Sequence, residues 1–110
     1  MATFFNSQHL NQKQLAKGIL LKSVYGNNTM LTFFEFSPNA VIPSHKHPHE
    51  QITYIVEGEL ELITAKEKKV LKQGEGIVLL ANEEHGARVL DKPAKVIDAW
   101  HPVREDYKIS

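Results

Sequence analysis

Short apolar runs rich in β-branched and aromatic residues recur along the chain after residue 17, and polar breaks separate them. This pattern is typical of β-strands joined by tight turns. We predict nine strands, with the bounds Gly18–Val24, Thr29–Phe36, Ala40–His45, Gln51–Glu57, Glu59–Thr64, Val70–Leu71, Ile77–Leu80, Ala87–Leu90 and Lys95–Trp100. The polar segment from Asn6 to Lys17 precedes them, and we expect it to be irregular.

The breaks contain glycine or asparagine, which tolerate positive φ, or proline, which does not fit within a sheet. They are Gly26-Asn27-Asn28, Ser37-Pro38-Asn39, Glu57-Gly58, Gln73-Gly74-Glu75-Gly76 and Asp91-Lys92-Pro93. Glu57-Gly58 predicts the clearest hairpin, and the charges of Lys66–Lys69 predict a solvated hairpin tip. Many short strands in a small chain predict an all-β fold, either a jelly roll or a closed barrel, with residues 1–110 as a single domain.

Composition narrows the classes of partner. The chain has 13 Lys plus Arg and 13 Asp plus Glu, so it lacks a basic surface for nucleic acid or anionic lipid, and we expect neither partner. It has no cysteine, which excludes disulfides, iron–sulfur clusters and thiolate zinc sites. Residues 1–6 show no secretory signal, and the longest apolar run, Ile77 to Ala81, is too short to span a membrane. We therefore predict a cytoplasmic protein without a membrane partner.

One short run contains most of the candidate metal ligands. Residues 45–51 read HKHPHEQ and hold three of the chain's six histidines. In an extended backbone alternate side chains share a face, so His45 and His47 point the same way. Together with Gln51 and the distant His85, they form a ligand set suited to one divalent metal ion. The ligand types leave nickel, zinc, iron, manganese and cobalt open.

The alternative interpretation is a histidine-rich surface loop, or a barrel that has lost its metal, but the ligand spacing favours a metal site. His49 is out of phase with its neighbours, and we expect it to play a supporting role. We expect His9 and His101 to be ordinary surface histidines. Glu50 faces away from Gln51 if the strand has begun there, so Gln51 is the ligand whose position matches.

A glutamine ligand changes the chemistry expected of the ion. Three neutral imidazoles and a neutral amide leave the full double positive charge on the metal, whereas a glutamate would neutralise half of it. Low ligand charge favours Lewis acidity and anionic substrates, and it disfavours oxidation to the trivalent state. The ligand set therefore favours carbonyl, enol or carboxylate chemistry over oxygen activation.

A second candidate region lies near the C-terminus. Asp98 and Trp100 share a face of the last predicted strand, and Arg104 follows just beyond a proline. An acid, a flat aromatic ring and a guanidinium suit an acidic sugar, through proton transfer, ring stacking and a bidentate carboxylate contact. Alternatively, Trp100 belongs to the core, Asp98 caps a turn, and Arg104 pairs at the surface with Glu105 or Asp106.

The pattern HxHx3Qx6G at residues 45–58, followed by a late histidine, resembles the two sequence motifs of the cupin superfamily. This resemblance implies a single cupin domain, a jelly-roll-like β-barrel. It also implies that His45, His47, Gln51 and His85 bind one divalent metal inside the barrel.

The sequence ITYIVEGELE at residues 52–61 and a tail of the form D-x-aromatic-x-P-x-R-E-D resemble one branch of the cupins, the pectin-degradation family KdgF. The resemblance implies a metal-dependent isomerase-like or lyase-like enzyme. Its substrate would be an anionic sugar, a 4,5-unsaturated uronate, whose ring it opens to a linear 4-deoxy-5-keto uronate. Asp98 would transfer protons, Arg104 would bind the carboxylate, and Trp100 would position the ring.

The chain departs from the family pattern at Trp100, where phenylalanine is usual, at Val103, which replaces a proline, and at Leu80-Ala81, where the second motif lacks its proline. Two alternatives stay open: another metal-dependent cupin enzyme acting on a small carboxylate, and a non-catalytic cupin that binds a sugar acid. Small cupins are commonly homodimers. The candidate interface or core residues are Phe4, Phe5, Phe33 and Phe34.

Overall fold

Ten strands and two short 3₁₀ turns make up the computed structural model, which describes residues 2–109. The strands are β1 (Lys13–Ala16), β2 (Ile19–Tyr25), β3 (Met30–Phe36), β4 (Val41–His45), β5 (Glu50–Glu57), β6 (Glu59–Thr64), β7 (Lys68–Lys72), β8 (Gly76–Leu79), β9 (His85–Val89) and β10 (Ala94–His101). The 3₁₀ turns span Ser7–His9 and Glu105–Tyr107. Met1 and Ser110, the ends of the predicted domain, lie outside the described residues.

The strands form two antiparallel sheets. One sheet has six strands in the order β1-β2-β3-β10-β5-β8, and the other has four in the order β4-β9-β6-β7. From β3 onward the chain changes sheet at most connections, as it does between β3, β4, β5 and β6, so the two sheets enclose a common interior. The all-β prediction is confirmed. No helix within residues 2–109 is long and apolar enough to cross a membrane.

All nine predicted strands are present with ends that match or are shifted by at most two residues, but the prediction that Asn6 to Lys17 is irregular is wrong for β1. β1 pairs with β2 and lies at the edge of the six-stranded sheet, where only Leu15 is partly buried. A short polar edge strand lacks the apolar signal used for the prediction. The hairpin tip is also shorter than Lys66–Lys69, because Lys68 and Lys69 pair with β6.

The predicted β5–β6 hairpin at Gly58 is wrong, because β5 and β6 belong to different sheets and do not pair with each other. A tight turn is nevertheless present there, and its geometry requires glycine. Gly58 has φ +83°, in the left-handed region that favours residues without a Cβ atom. A Cβ atom there would lie 2.5 Å from the carbonyl oxygen of Pro93. This turn carries the chain from the six-stranded sheet into the four-stranded sheet.

The apolar core fills one end of the space between the sheets. In the six-stranded sheet, Val96 of β10 pairs with Phe34 of β3 and Ile55 of β5, and all three are buried. Leu60 and Leu62 of β6 face them from the four-stranded sheet as part of the same buried cluster. Burial of such side chains stabilises each by about 1.5–3 kcal/mol relative to full exposure.

Two residues further along β10, the inner face of the sheet becomes polar. Asp98 pairs with Thr32 on β3 and with Thr53 on β5, and all three side chains are buried. The next inward row contains Trp100 opposite Gln51. The interior thus changes from apolar to polar along the strands, and the polar rows place the candidate residues at one end of the barrel.

Candidate functional site

Three histidines from two distant stretches meet at the polar end of the barrel. His45 ends β4, His85 begins β9, and the two residues are paired in the four-stranded sheet. His47 follows in the β4–β5 connection, where its carbonyl oxygen accepts a 2.7 Å hydrogen bond from the backbone N–H of Asn82. One ring nitrogen from each histidine lies within 4.8 Å of those of the other two, a grouping that is able to hold a metal ion.

Backbone carbonyls fix the tautomer of all three rings. The Nδ1 atom lies 2.8 Å from the carbonyl oxygen of Pro43 in His45, 3.1 Å from that of His49 in His47, and 2.8 Å from that of Glu83 in His85. A carbonyl oxygen only accepts, so each Nδ1 carries the hydrogen and donates it. The lone pair of each neutral ring is then on Nε2, as in metal-binding histidines whose other nitrogen donates to a backbone carbonyl.

The surroundings also favour the neutral form of two rings. Burial is the largest cause that lowers the pKa of His47 below its ordinary value, and the positive charge of Arg104 adds to it. Burial likewise lowers the pKa of His85, although the hydrogen bond to the Glu83 carbonyl acts in the opposite direction. A neutral imidazole is the form that binds a metal, so both shifts favour ligation.

Gln51 adds an oxygen to this cluster. It is the first inward-facing residue of β5, whereas Glu50 is exposed on the opposite face, as the alternation predicts. The Oε1 atom of Gln51 lies 3.1 Å from Nε2 of His47, and its Nε2–H donates a 2.9 Å hydrogen bond to the Thr53 hydroxyl. The amide oxygen is therefore directed at the histidines and the amide nitrogen at Thr53.

The contact between His47 and Gln51 tests whether these residues fit a metal ion. Because Nδ1 of His47 holds the ring hydrogen, both Nε2 of His47 and Oε1 of Gln51 present lone pairs to each other across 3.1 Å. A cation satisfies two such lone pairs. Two ligands that bind one ion at about 2.1 Å each, at a right angle, lie about 3.0 Å apart. The donor set of three imidazoles and an amide oxygen fits one divalent ion.

Asp98 lies next to this cluster as a buried carboxyl group in the middle of β10. It is 5 % exposed, and its Oδ1 atom has no hydrogen-bond partner among the described residues. Burial raises the pKa of Asp98 to about 7, while Thr53, Gln51 and Arg104 act in the opposite direction. A carboxyl group with this pKa is able both to hold and to release a proton near neutral pH. Asp98 does not cap a turn.

Trp100 is a core residue that also lines the site. It is 4 % exposed, and its indole ring packs against the ring of His47, with the centroids 5.3 Å apart and the planes inclined by 61°. The indole Nε1–H donates a 2.9 Å hydrogen bond to the hydroxyl of Thr32. Its orientation is therefore fixed by both packing and a buried hydrogen bond.

Arg104 precedes the second 3₁₀ turn and extends toward the same cavity. Its Nε–H donates to Asp106 at 3.0 Å, which is the surface pairing considered as an alternative, yet its side chain is only 14 % exposed. The Nη1 atom is buried and has no hydrogen-bond partner in residues 2–109. Part of the guanidinium is thus left without a partner at the site.

A cavity of about 200 Å³ connects these groups. Its polar lining residues are His45, Gln51, Thr53, His85, Asp98 and Arg104, and its aromatic lining includes Trp100 and Tyr107. This volume lies below the usual range of ligand pockets, so the cavity suits a small molecule. The prediction from sequence missed Tyr107, whose only signal was an aromatic residue three positions after Arg104.

Of the other histidines, only His49 lies beside the three-histidine cluster among the described residues, with its ring centroid 5.5 Å from that of His47. His9 and His101 are exposed, as expected. His49 contributes its backbone carbonyl to His47, and its own Nδ1 atom is buried without a partner in the described part of the chain.

The chain is similar to known proteins in both sequence and structure. A family model described as a cupin domain matches residues 32–100. The chain is 30 % identical over 109 residues to the pectin degradation protein KdgF of Dickeya dadantii (strain 3937), covering 97 % of this chain and 99 % of that protein.

Two solved structures are similar over almost the whole chain. KdgF from Halomonas sp. has a TM-score of 0.90 and 31 % identity, and the match covers 96 % of this chain and 98 % of that one. An RmlC-like cupin from Shewanella frigidimarina has a TM-score of 0.91 and 25 % identity, with coverage of 98 % and 97 %.

Proposed function

The chain belongs to the cupin family, and from this premise we propose that it is a metal-dependent enzyme that opens the ring of 4,5-unsaturated uronate monosaccharides. The product is a linear 4-deoxy-5-keto uronate. The observation that carries the proposal is the shared cavity, in which the imidazoles of His45 and His85 and the amide of Gln51 face Asp98 and Arg104. Similarity to two KdgF proteins along most of the chain supports the same activity.

We assign the metal ligands to His45, His47, Gln51 and His85. A bound divalent ion supplies Lewis acidity that stabilises negative charge on oxygen. The carbonyls that hold the histidine Nδ1–H groups orient the three rings, and burial favours the neutral form of His47 and His85. The uncharged ligand set leaves the site positive, which favours an anionic substrate.

Arg104 and Trp100 bind the substrate in this proposal. The buried Nη1 atom of Arg104 needs an acceptor, and a uronate carboxylate provides two oxygens in a plane that matches the guanidinium. Trp100 forms a rigid wall beside His47 and limits the positions that a sugar ring is able to take. The cavity of about 200 Å³ favours a monosaccharide over an oligosaccharide.

Asp98 transfers the protons. The anomeric hydroxyl loses its proton, the C1–O5 bond breaks to leave an aldehyde at C1 and an enol oxygen at C5, and C4 then accepts a proton to give the ketone. No atom is gained or lost, so one carboxyl group is able to take the first proton and return the second. A pKa of about 7 suits both steps near neutral pH.

The decisive experiment follows loss of the conjugated-enol absorbance when unsaturated galacturonate is mixed with metal-loaded protein. We expect clear acceleration over buffer, and an aldehyde and a ketone in the product by NMR. A rate equal to that in buffer, with one metal per chain confirmed by elemental analysis, would reject the proposal. Repeating the assay with the uronates released from alginate would identify the preferred sugar.

We also propose that the protein is a homodimer in which β5 and β8 face a second copy of the chain. Ile52 and Tyr54 of β5 and the neighbouring Val78 are 49 %, 49 % and 58 % exposed on the outer face of the sheet. Contiguous apolar surface of this kind is typical of interfaces, and β8 is a free sheet edge. Of the four candidate phenylalanines, Phe34 lies in the core, while Phe4 is 97 % exposed.

Light scattering tests this proposal. We expect the mass of a dimer, and we expect Tyr54→Glu to give a monomer, because a charge at the centre of a buried patch is costly. A monomeric wild-type protein at high concentration would contradict it. The cytoplasmic location stays a prediction.

A further inference from the structure

The side chain of Arg104 is held from two sides by residues of the turn that follows it. Asp106 accepts hydrogen bonds from Nε–H through both carboxylate oxygens, at 3.0 and 3.3 Å. The ring of Tyr107 lies under the guanidinium, with Cζ of Arg104 3.9 Å from the ring centroid. The backbone N–H of Tyr107 donates to the Arg104 carbonyl at 3.0 Å, so the three residues form one compact unit.

Tyr107 is itself packed into the core. It is 9 % exposed, and its ring packs edge-on against Phe34 and Trp100, with centroids 5.8 and 5.5 Å away. A cation stacked on such a ring is attracted by the negative face of the π-system, most strongly where water is excluded. The plane of the guanidinium is therefore fixed by a side chain that cannot move without disturbing the core.

Trp100 is a third neighbour, with its ring centroid 5.1 Å from Cζ of Arg104, yet these contacts leave one part of the guanidinium without a hydrogen-bond acceptor. Asp106 lies on the solvent side, since its side chain is 63 % exposed, and it binds Nε–H. The Nη1 atom is buried and has no partner within the described chain, and Arg104 lines the cavity. A buried charged donor without an acceptor is unfavourable unless a bound ligand accepts its hydrogen bond.

We propose that Tyr107 and Asp106 are positioning residues that hold the guanidinium of Arg104 in the plane and direction needed to bind a substrate carboxylate. The inference rests on the proposed carboxylate-binding role of Arg104 and extends it to two residues that do not need to contact the substrate. Its consequence is that affinity for a carboxylate depends on the aromatic ring of Tyr107 and on the charge of Asp106.

The test measures binding of D-galacturonate, which has no 4,5 double bond to react, by calorimetry with metal-loaded protein. We expect Tyr107→Leu and Asp106→Asn each to weaken binding roughly tenfold, which corresponds to about 1.4 kcal/mol. Tyr107→Phe keeps the ring and should bind like the wild type. Glu105→Gln is the matched control, because Glu105 lies in the same turn and pairs with Lys108. Metal content and melting temperature are recorded for every variant.

Double variants separate positioning from a general structural effect. If Tyr107 acts through Arg104, adding Tyr107→Leu to Arg104→Gln should cause no further loss of affinity, whereas independent effects would multiply. The same holds for Asp106→Asn, an exposed substitution that keeps the test valid if Tyr107→Leu does not fold. Multiplying losses, or single variants that bind like the wild type, would overturn the inference.

Failure of the proposed activity gives a different result. If unsaturated galacturonate is not converted but galacturonate affinity follows the pattern above, the inference stands and the activity is wrong. If turnover occurs and Arg104→Gln does not weaken galacturonate binding, the inference is wrong and the activity stands with another carboxylate contact.

Discussion

The indole nitrogen of Trp100 and the hydroxyl of Thr32 form a 2.9 Å hydrogen bond between neighbouring strands of the six-stranded sheet. Thr32 is fully buried and lies opposite Asp98, so the bond ties the aromatic wall of the site to the polar row beside it. Phenylalanine, which the resemblance to the family implies at this position, has no group that is able to make this bond. The hydrogen bond to Thr32 therefore depends on tryptophan at position 100.

We predict that Trp100→Phe destabilises the protein by about 1–3 kcal/mol, since Thr32 loses a buried partner and the smaller ring leaves space in the core. Chemical denaturation measures the change. Thr32→Val in the Trp100→Phe background should restore part of the loss, because it removes the unsatisfied hydroxyl. Purely additive losses in the double variant would show that the hydrogen bond contributes nothing to stability.

Asp98→Asn should separate catalysis from binding. The amide keeps the shape of the side chain but cannot transfer protons, so we expect kcat for unsaturated galacturonate to fall by about 10²- to 10⁴-fold. Galacturonate affinity and metal content should stay close to those of the wild type. Wild-type turnover in this variant would remove Asp98 from the mechanism, and loss of the metal would indicate a structural role.

The raised pKa of Asp98 also predicts how stability depends on pH in the metal-free protein. Its ordinary value is 3.8 and its value in the fold is about 7. Between these values the unfolded chain releases the proton and the folded chain retains it, so the contribution of Asp98 to stability decreases as pH rises toward 7. The difference amounts to up to about 4 kcal/mol.

Asp98→Asn has no group that titrates at this position, so only the wild type loses stability from this source as pH rises. The free energy of unfolding of the variant, measured relative to that of the wild type, should therefore increase from pH 4 to pH 8. The lowered pKa values of His47 and His85 destabilise both proteins in acid below about 6.5, and this effect cancels in the difference. Urea denaturation at several pH values measures it. A difference that does not change with pH would contradict a neutral buried Asp98.

The sequence predicted those parts of the molecule that depend on local pattern. The alternation of apolar residues located nine of the ten strands, and glycine at position 58 located the turn between β5 and β6, although these two strands do not pair as the predicted hairpin. The spacing of His45, His47 and Gln51 indicated side chains that share a site, and the structure brings His85 to them through strand pairing.

Other features depend on long-range contacts that no local pattern encodes. The exposed strand β1 is polar and is defined only by pairing with β2. The carbonyls of Pro43 and Glu83 fix histidine tautomers, but every residue has a carbonyl, so sequence gives no signal for them. The stacking of Tyr107 on Arg104 depends on a turn whose geometry only the fold defines.

Gln51→Glu tests the importance of an uncharged ligand set. A glutamate oxygen at the same position should bind the metal at least as tightly, because it adds negative charge next to the ion. It should weaken galacturonate binding by about tenfold or more, because the same charge repels the substrate carboxylate. Metal titration and calorimetry measure the two effects. Unchanged galacturonate affinity in the loaded variant would show that the charge of the site does not select the substrate.

The ligand assignment itself is tested by comparing two neighbouring histidines. His47→Ala removes a ring whose Nε2 atom faces Gln51, and we expect metal content to fall from about one ion per chain to a small fraction of it. His49→Ala is the matched control, because His49 supports His47 through its backbone carbonyl, which alanine retains. Elemental analysis of tag-free protein after dialysis against each candidate metal gives the measurement. Equal metal content in His47→Ala and the wild type would contradict the assignment, and equal loss in both variants would give the His49 ring a direct role.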